Sequence, residues 1–325
     1  MLSLRLVVLL AGLLAAASTA GAGSYRAPRD GWGHPDLGGL WTSTSLTELE
    51  RPARFKTLTV PDAEAAAYEQ RRPDEFSTTD IDDVGGRQSE ANFWDLGARL
   101  ARIDGKARTS WIVEPADGKL PYTKDGAADR ARHAQAVSSP ANPESRTPSE
   151  RCLLAGWAAA GPPMLNSPYA NEYQFVQTAD AVAIHMESVH DVRIVRLNTA
   201  AHLPAGVRPW MGDSIGRWDG ETLVVETTNF NPGDAPKLPT TLYVSTDAKV
   251  TERFTRISPT RLLYEFAVDD PKTYSQVWRA QMLFEASKGP IYEYACHEGN
   301  YSLPGILAGA RHEEAQGKPA GAATR

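Results

Sequence analysis

From residue 172 to about 296 the chain is a series of short runs rich in β-branched and aromatic residues, broken by turn signals and by no helical stretch. Strands spaced roughly every ten residues in this way form antiparallel β structure. The runs are 173–176, 182–187, 192–197, 215–218, 222–228, 250–256, 262–268, 275–284 and 291–296. Asp219-Gly220, between GRW and ETLVVET, is a two-residue hairpin signal of the type that needs positive φ. Ser258-Pro259-Thr260, between ERFTRI and RLLYEFAV, predicts a longer hairpin loop. Consecutive hairpins favour a mainly β fold: an up-and-down barrel of lipocalin or calycin type, or a strongly curved sheet, since closure removes exposed sheet edges.

The region before these runs is irregular and proline-rich. Pro61-Asp62-Ala63-Glu64 suits the first turn of a helix over 61–72. Residues 74–90 are acidic and polar and read as a surface loop, Phe93-Trp94 opens an apolar patch, and 108–113 reads as a strand closed by Asp117-Gly118. Proline, serine and glutamate over 138–150 suggest a linker or exposed crossing. Gly39-Leu40-Trp41 matches the G-x-W with which calycin barrels begin, where the indole closes one end; a buried core tryptophan fits it as well. The organisation expected is a leader at 1–22, an irregular region at 23–168 packed on the barrel, a barrel core at 169–314 and a disordered tail at 315–325.

Arg5, the apolar run 6–17 and the small residues 18–24 form the three-part pattern of a secretory signal, with cleavage expected near Ala22 or slightly earlier. No later run is long and apolar enough to span a bilayer, so a periplasmic or secreted protein without membrane insertion is expected. The 34 basic and 40 acidic residues give a net charge of -6. With no basic run, that balance argues against nucleic acid as a partner and leaves a small molecule. Cys152 and Cys296 are the only cysteines, and in an oxidising compartment such a pair is expected to form a disulfide.

The strings HPDLGGLW, RTSWIVEPADGKLP, SERC with GPPML, YQFVQT, HDVRIV, GRWDGETLVVETTNF, ERFTRI and YEYACHEGNY, in this order, resemble those of a family of secreted bacterial proteins. The resemblance covers about residues 34–314. It implies secretion and a shared fold, and it implies no particular reaction.

The candidate chemistry gathers in VAIHMESVHDVRIV and YEYACHEGNY. Strand parity puts His185 and Glu187 on one face, with His190 and Arg193 near a corner at 188–190; in a barrel with an internal pocket that polar face turns inward. Parity over 291–298 groups Tyr292, Tyr294, Cys296 and Glu298 against Glu293 and His297. His297, Glu298, His190, Arg193 and Glu187 are the expected catalytic set, with Arg193 steadying an oxyanion or a substrate carboxylate. Tyr292, Tyr294, Trp41, Glu226 and His185 are the expected substrate contacts, and Arg253 is a possible partner of Glu226.

This set suits cofactor-independent proton transfer of the lyase, hydratase or isomerase type on a small, partly apolar molecule. A non-catalytic lipocalin-like binding protein is the alternative. A hydrolase using zinc or another divalent metal on His185, Glu187, His190 and His297 is a second one, although their spacing is no recognised metal signature. Gly212-Asp213-Ser214-Ile215-Gly216 matches G-x-S-x-G but leads into a hairpin strand rather than a strand-to-helix elbow, which disfavours a serine nucleophile.

Overall fold

The computed structural model describes residues 25–78, 97–137, 139–156, 158–238 and 242–318. The leader, the apolar patch at Phe93-Trp94, most of the 74–90 loop and most of the 315–325 tail lie outside them.

Nine strands close into a barrel: β1 (Gly39–Thr42), β2 (Glu172–Gln177), β3 (Ala181–Met186), β4 (Val192–Arg196), β5 (Asp213–Asp219), β6 (Thr222–Thr228), β7 (Lys249–Ser258), β8 (Arg261–Asp269) and β9 (Trp278–Ala286). Spatial order follows chain order. β1 closes the ring, pairing with β2 from Gly39↔Phe175 to Thr42↔Glu172 and with β9 at Trp41↔Ala286 and Thr42↔Glu285. The two legible hairpins form as expected, with a shift of one residue at the first. Asp219 pairs with Thr222, so Gly220 and Glu221 make the loop, and Gly220 supplies φ +61°. In the second, Ser258 pairs with Arg261 around Pro259-Thr260.

The barrel is mixed rather than wholly antiparallel. β4 and β5 run parallel, matched only at Val195↔Ser214 and Arg196↔Ile215. Parallel neighbours need a crossover, supplied here by residues 197–212 without a helix. Side chains fasten it to the wall. Asp213 accepts from the Leu203 amide (2.8 Å), from Arg196 (2.8 and 2.9 Å) and from His202 Nδ1 (2.9 Å), while Asn229 Nδ2 donates to the carbonyls of Leu203 (2.9 Å) and Val207 (3.2 Å).

The region expected to pack on the barrel enters it. β1 is a barrel strand, and a short strand, Ile112–Glu114, pairs with the first part of β9. The strand expected over 108–113 is therefore two pieces in different sheets, because Lys106–Arg108 pairs with Thr59–Val60 and Arg102–Ile103 instead. Beside that small sheet lies α1 (Asp62–Thr78), which runs beyond the expected 72 and into the segment expected as a loop. α2 (Lys124–Ala136) follows, its N-cap Thr123 accepting from the Gly126 amide at 2.9 Å.

Alternation along the strands fills the interior. Leu262, Tyr264, Phe266 and Val268 of β8 are buried, as are Val250, Glu252 and Phe254 of β7. Trp41, Tyr173, Phe175, Trp278 and Phe284 join the same cluster, and so do Leu154, Ala159, Met164 and Leu165. The last four belong to a segment tied to the wall by Tyr173 Oη donating to the Ala159 carbonyl (3.1 Å) and by Tyr264 Oη accepting from the Met164 amide (3.0 Å). One core thus spans the boundary expected at 168. Residues 291–296 are not a strand, and the barrel ends at Ala286. Both edges of β9 are already taken, by β8 on one side and by β1 and Ile112–Glu114 on the other, so no ladder remains for a further strand. The chain continues as an irregular strap, 287–301, with one helical turn at Cys296–Gly299, and then as α3 (Ser302–Ala315).

Candidate functional site

The strap bends back over the outside of the barrel where β2 begins and β3 ends. A cleft of about 980 Å³ lies beneath it. The barrel contributes Glu172 and Glu187, the strap Tyr292, Glu293 and Tyr294, and the loop before β2 Tyr169. Leu303 and Ile306 close one side from α3, whose apolar positions Leu303, Ile306, Leu307 and Ala310 recur at helical spacing, with Ala310 buried.

Several ties set the strap. Cys152 and Cys296 form the expected disulfide, with Cα atoms 5.7 Å apart, and both line the cleft. Asn300 Nδ2 donates to the Glu150 carbonyl (2.8 Å), the Tyr292 amide donates to Glu187 Oε1 (3.1 Å), and the Ser287 amide donates to the Leu40 carbonyl (2.9 Å). The Tyr169 and Tyr294 rings lie nearly parallel, 6.5 Å between centroids. Burial, and then the neighbouring Tyr169, push the Tyr294 phenol up to about 12, so it is neutral and able to donate at physiological pH.

A shallower hollow of about 610 Å³ adjoins the cleft and shares Pro290, Tyr292 and Glu293 with it. Its floor is a row across the outer wall, Leu40, Gln174 and His185 in register on β1, β2 and β3. His190, exposed at the β3–β4 corner with φ +46°, stands at its rim.

Several expected site residues lie elsewhere than parity placed them. On β3 the inward side chains are Val182, Ile184 and Met186, so His185 and Glu187 belong to the outer side and no polar face lines a lumen. Arg193 does point inward, but it is 2% exposed and locked onto Glu252 by two bonds of 2.6 and 3.0 Å, which removes it from any oxyanion role. Trp41 is 1% exposed, donates from Nε1 to the Leu37 carbonyl (2.9 Å) and lies beneath the Arg256 guanidinium at 5.4 Å; it is a core residue, not a ligand contact. Glu226 sits on the outer face beside His202 (3.3 Å) and Lys249 (3.6 Å), away from the cleft, and Arg253 pairs with Asp219 instead.

His297 and Glu298 are exposed and line neither hollow, because a helical turn rather than a strand carries them past the disulfide. Tyr292 and Tyr294 do line the cleft, the first at its mouth with 69% exposure. Ser214 is buried, its Oγ 2.8 Å from Thr227 Oγ1 within the β5–β6 hairpin, so its G-x-S-x-G forms no elbow.

Glu293, grouped by parity without a role, also lines the cleft; Tyr169, Glu172 and Glu150 complete it and were not singled out by the sequence. No local pattern marks them, since the strap and its bridge bring them together. For the metal alternative, His185 and His190 face the hollow, Glu187 faces the cleft and His297 faces neither. Among the described residues no group of three histidine, cysteine or acidic side chains is placed to hold a metal ion. Just after the corner at 188–190, Asp191 accepts from the Ala155 amide (2.8 Å), and burial pushes its carboxyl up to about 6.

No protein-family model matches this chain, and no curated protein matches it.

Proposed function

We propose that the protein binds a small, partly apolar molecule in the disulfide-braced cleft, and that it does so as a secreted or periplasmic protein. The observation that carries this reading is the cleft: about 980 Å³, the size of a small-molecule site, with phenol rings and the aliphatic Leu303 and Ile306 beside a few carboxylates. The filled barrel interior leaves the outer cleft, not a lipocalin-type lumen, as the place for a ligand. The leader pattern, the disulfide and the resemblance to secreted bacterial proteins support the location. Native mass spectrometry of the mature protein from a periplasmic preparation, followed by amide-shift mapping with a fragment set, tests the binding. Shifts clustered on 169–172 and 287–303 are expected. Ligands that shift only residues outside this region would overturn it.

One observation favours a catalytic extension by acid and base chemistry. Tyr292 and Glu293 border both hollows, so the hollow lined by His185 and His190 adjoins the cleft lined by the Glu187 carboxylate. A molecule spanning the two meets a carboxylate, two imidazoles and a neutral phenol, groups suited to proton transfer without an organic cofactor. Glu187→Gln and His190→Ala are then expected to abolish turnover while retaining binding. Unchanged turnover in both variants would reduce the function to binding alone.

A further inference from the structure

Resting on the reading of the cleft as a ligand site, we infer that its ligand is an organic cation, a substituted ammonium carried on an apolar or aromatic body. Two independent features of the cavity point the same way. The first is its rings. Tyr169, Tyr292 and Tyr294 stand around one ligand-sized space, and a phenol face presents the negative part of its quadrupole to whatever lies against it. Such faces pack against a neutral apolar group as well, but a soft, weakly hydrated cation gains an electrostatic attraction in addition.

The second is charge. Glu150, Glu172, Glu187 and Glu293 line the cleft, and among the described residues no lysine, arginine or histidine lines it. They arrive from four separate segments, so no local sequence bias explains the convergence. Glu150 is engaged by Arg146 and by the Thr147 amide and hydroxyl. Glu187 receives only the Tyr292 amide, and neither it nor Glu293 faces a lysine or arginine at ion-pair distance among the described residues. An anionic ligand would meet the Glu187 and Glu293 carboxylates, which face no such cation among the described residues. A cation would supply the charge that the walls lack, with Leu303 and Ile306 covering its apolar end.

Three meta-substituted phenols test this on the mature, disulfide-intact protein: meta-hydroxyphenyl trimethylammonium, its uncharged isostere meta-tert-butylphenol, and the anion meta-hydroxyphenylacetate. Calorimetric titration gives affinity and amide-shift mapping gives location. The ammonium is expected to bind at the cleft about tenfold or more tighter than the uncharged phenol, with affinity falling as salt rises, and the anion weakest. Glu187→Gln with Glu293→Gln is expected to erase most of that preference and leave the uncharged phenol unaffected. The first substitution keeps a side-chain oxygen for the Tyr292 amide, and an unshifted melting temperature verifies the fold. Equal or tighter binding of the uncharged phenol or the anion at the cleft overturns the cation and leaves the cleft standing. If no probe moves the cleft resonances, the cation inference falls together with the reading beneath it.

Discussion

Arg193 and Glu252 join across the barrel interior through two hydrogen bonds, although β5 and β6 separate their strands in the wall. Tyr264 Oη donates a third bond, 2.7 Å, to the same carboxylate. Burial alone lowers the pKa of Arg193, but Glu252 outweighs it and holds the guanidinium charged. Removing one partner strands the other charge, so Glu252→Gln or Arg193→Met should each cost about 3–5 kcal/mol in urea unfolding. The double variant Arg193→Met, Glu252→Leu should cost clearly less than the sum of the singles. Strict additivity would show that the two residues do not act as a pair.

The disulfide spans 144 residues but ties no barrel strand to another. In the chain-entropy model a loop of that size contributes about 5 kcal/mol, and measured values often fall nearer 2–4 kcal/mol. Cys152→Ser with Cys296→Ser should therefore lower stability by that amount while leaving the barrel closed. Hydrogen exchange should quicken over 287–315 and stay slow on β7, β8 and β9. Uniform loss of protection would make the bridge a support of the whole core.

Asp191 pulls stability in the direction opposite to a salt-bridged acid. Its folded carboxyl is raised to about 6 by burial, above the ordinary 3.8, so its contribution is full below about pH 4 and is lost as pH rises through 6. Asp191→Asn keeps an oxygen for the Ala155 amide and removes the charge. At pH 8 the variant should be more stable than the parent by up to about 3 kcal/mol, with the gain vanishing near pH 4. A pH-independent difference would place the cause outside ionisation.

Asp213 behaves the other way. Burial raises its carboxyl, but the Leu203 amide, His202 and Arg196 together outweigh that and hold it below the usual carboxylate range. Its contribution is present above the ordinary carboxylate value and is lost as pH falls through the lower folded one. Asp213→Asn should cost about 1–3 kcal/mol at pH 7, and the deficit should shrink below about pH 4. His202→Ala, which frees one clamp on the crossover, should cost about 1 kcal/mol and quicken amide exchange over 197–207. Unchanged exchange there would mean that the Asn229 bonds suffice.

Much of the wall was readable along the chain. Turn chemistry at Gly220 and Pro259 marks both hairpins, and β-branched and aromatic runs mark eight of the nine barrel strands. The corner at 188–190 is likewise where the strand signals stop. The candidate site was less legible. Tyr292, Tyr294 and Glu187 do line the cleft, yet the roles assigned to Arg193 and Trp41 depended on which side of the barrel each faces, and those of His297 and Glu298 on a strand that is a helical turn instead. Parity along a strand separates two faces without saying which is inside, and on β3 the apolar face took the interior, leaving His185 outside.

Local chemistry along the chain thus settled eight of the nine barrel strands and both hairpin turns, because backbone propensity and alternation act over a few residues, and the presence of just two cysteines pointed to their bridge. Contacts between residues far apart in the chain settled the rest: β1 as the closing strand, the parallel seam at Val195 and Arg196, the buried Arg193–Glu252 pair, and the cleft itself. The segment 291–296 shows the reason most directly. Its residues have strand-like character, but every edge of β9 was already paired, and the disulfide drew the segment outward to become the wall of a cleft.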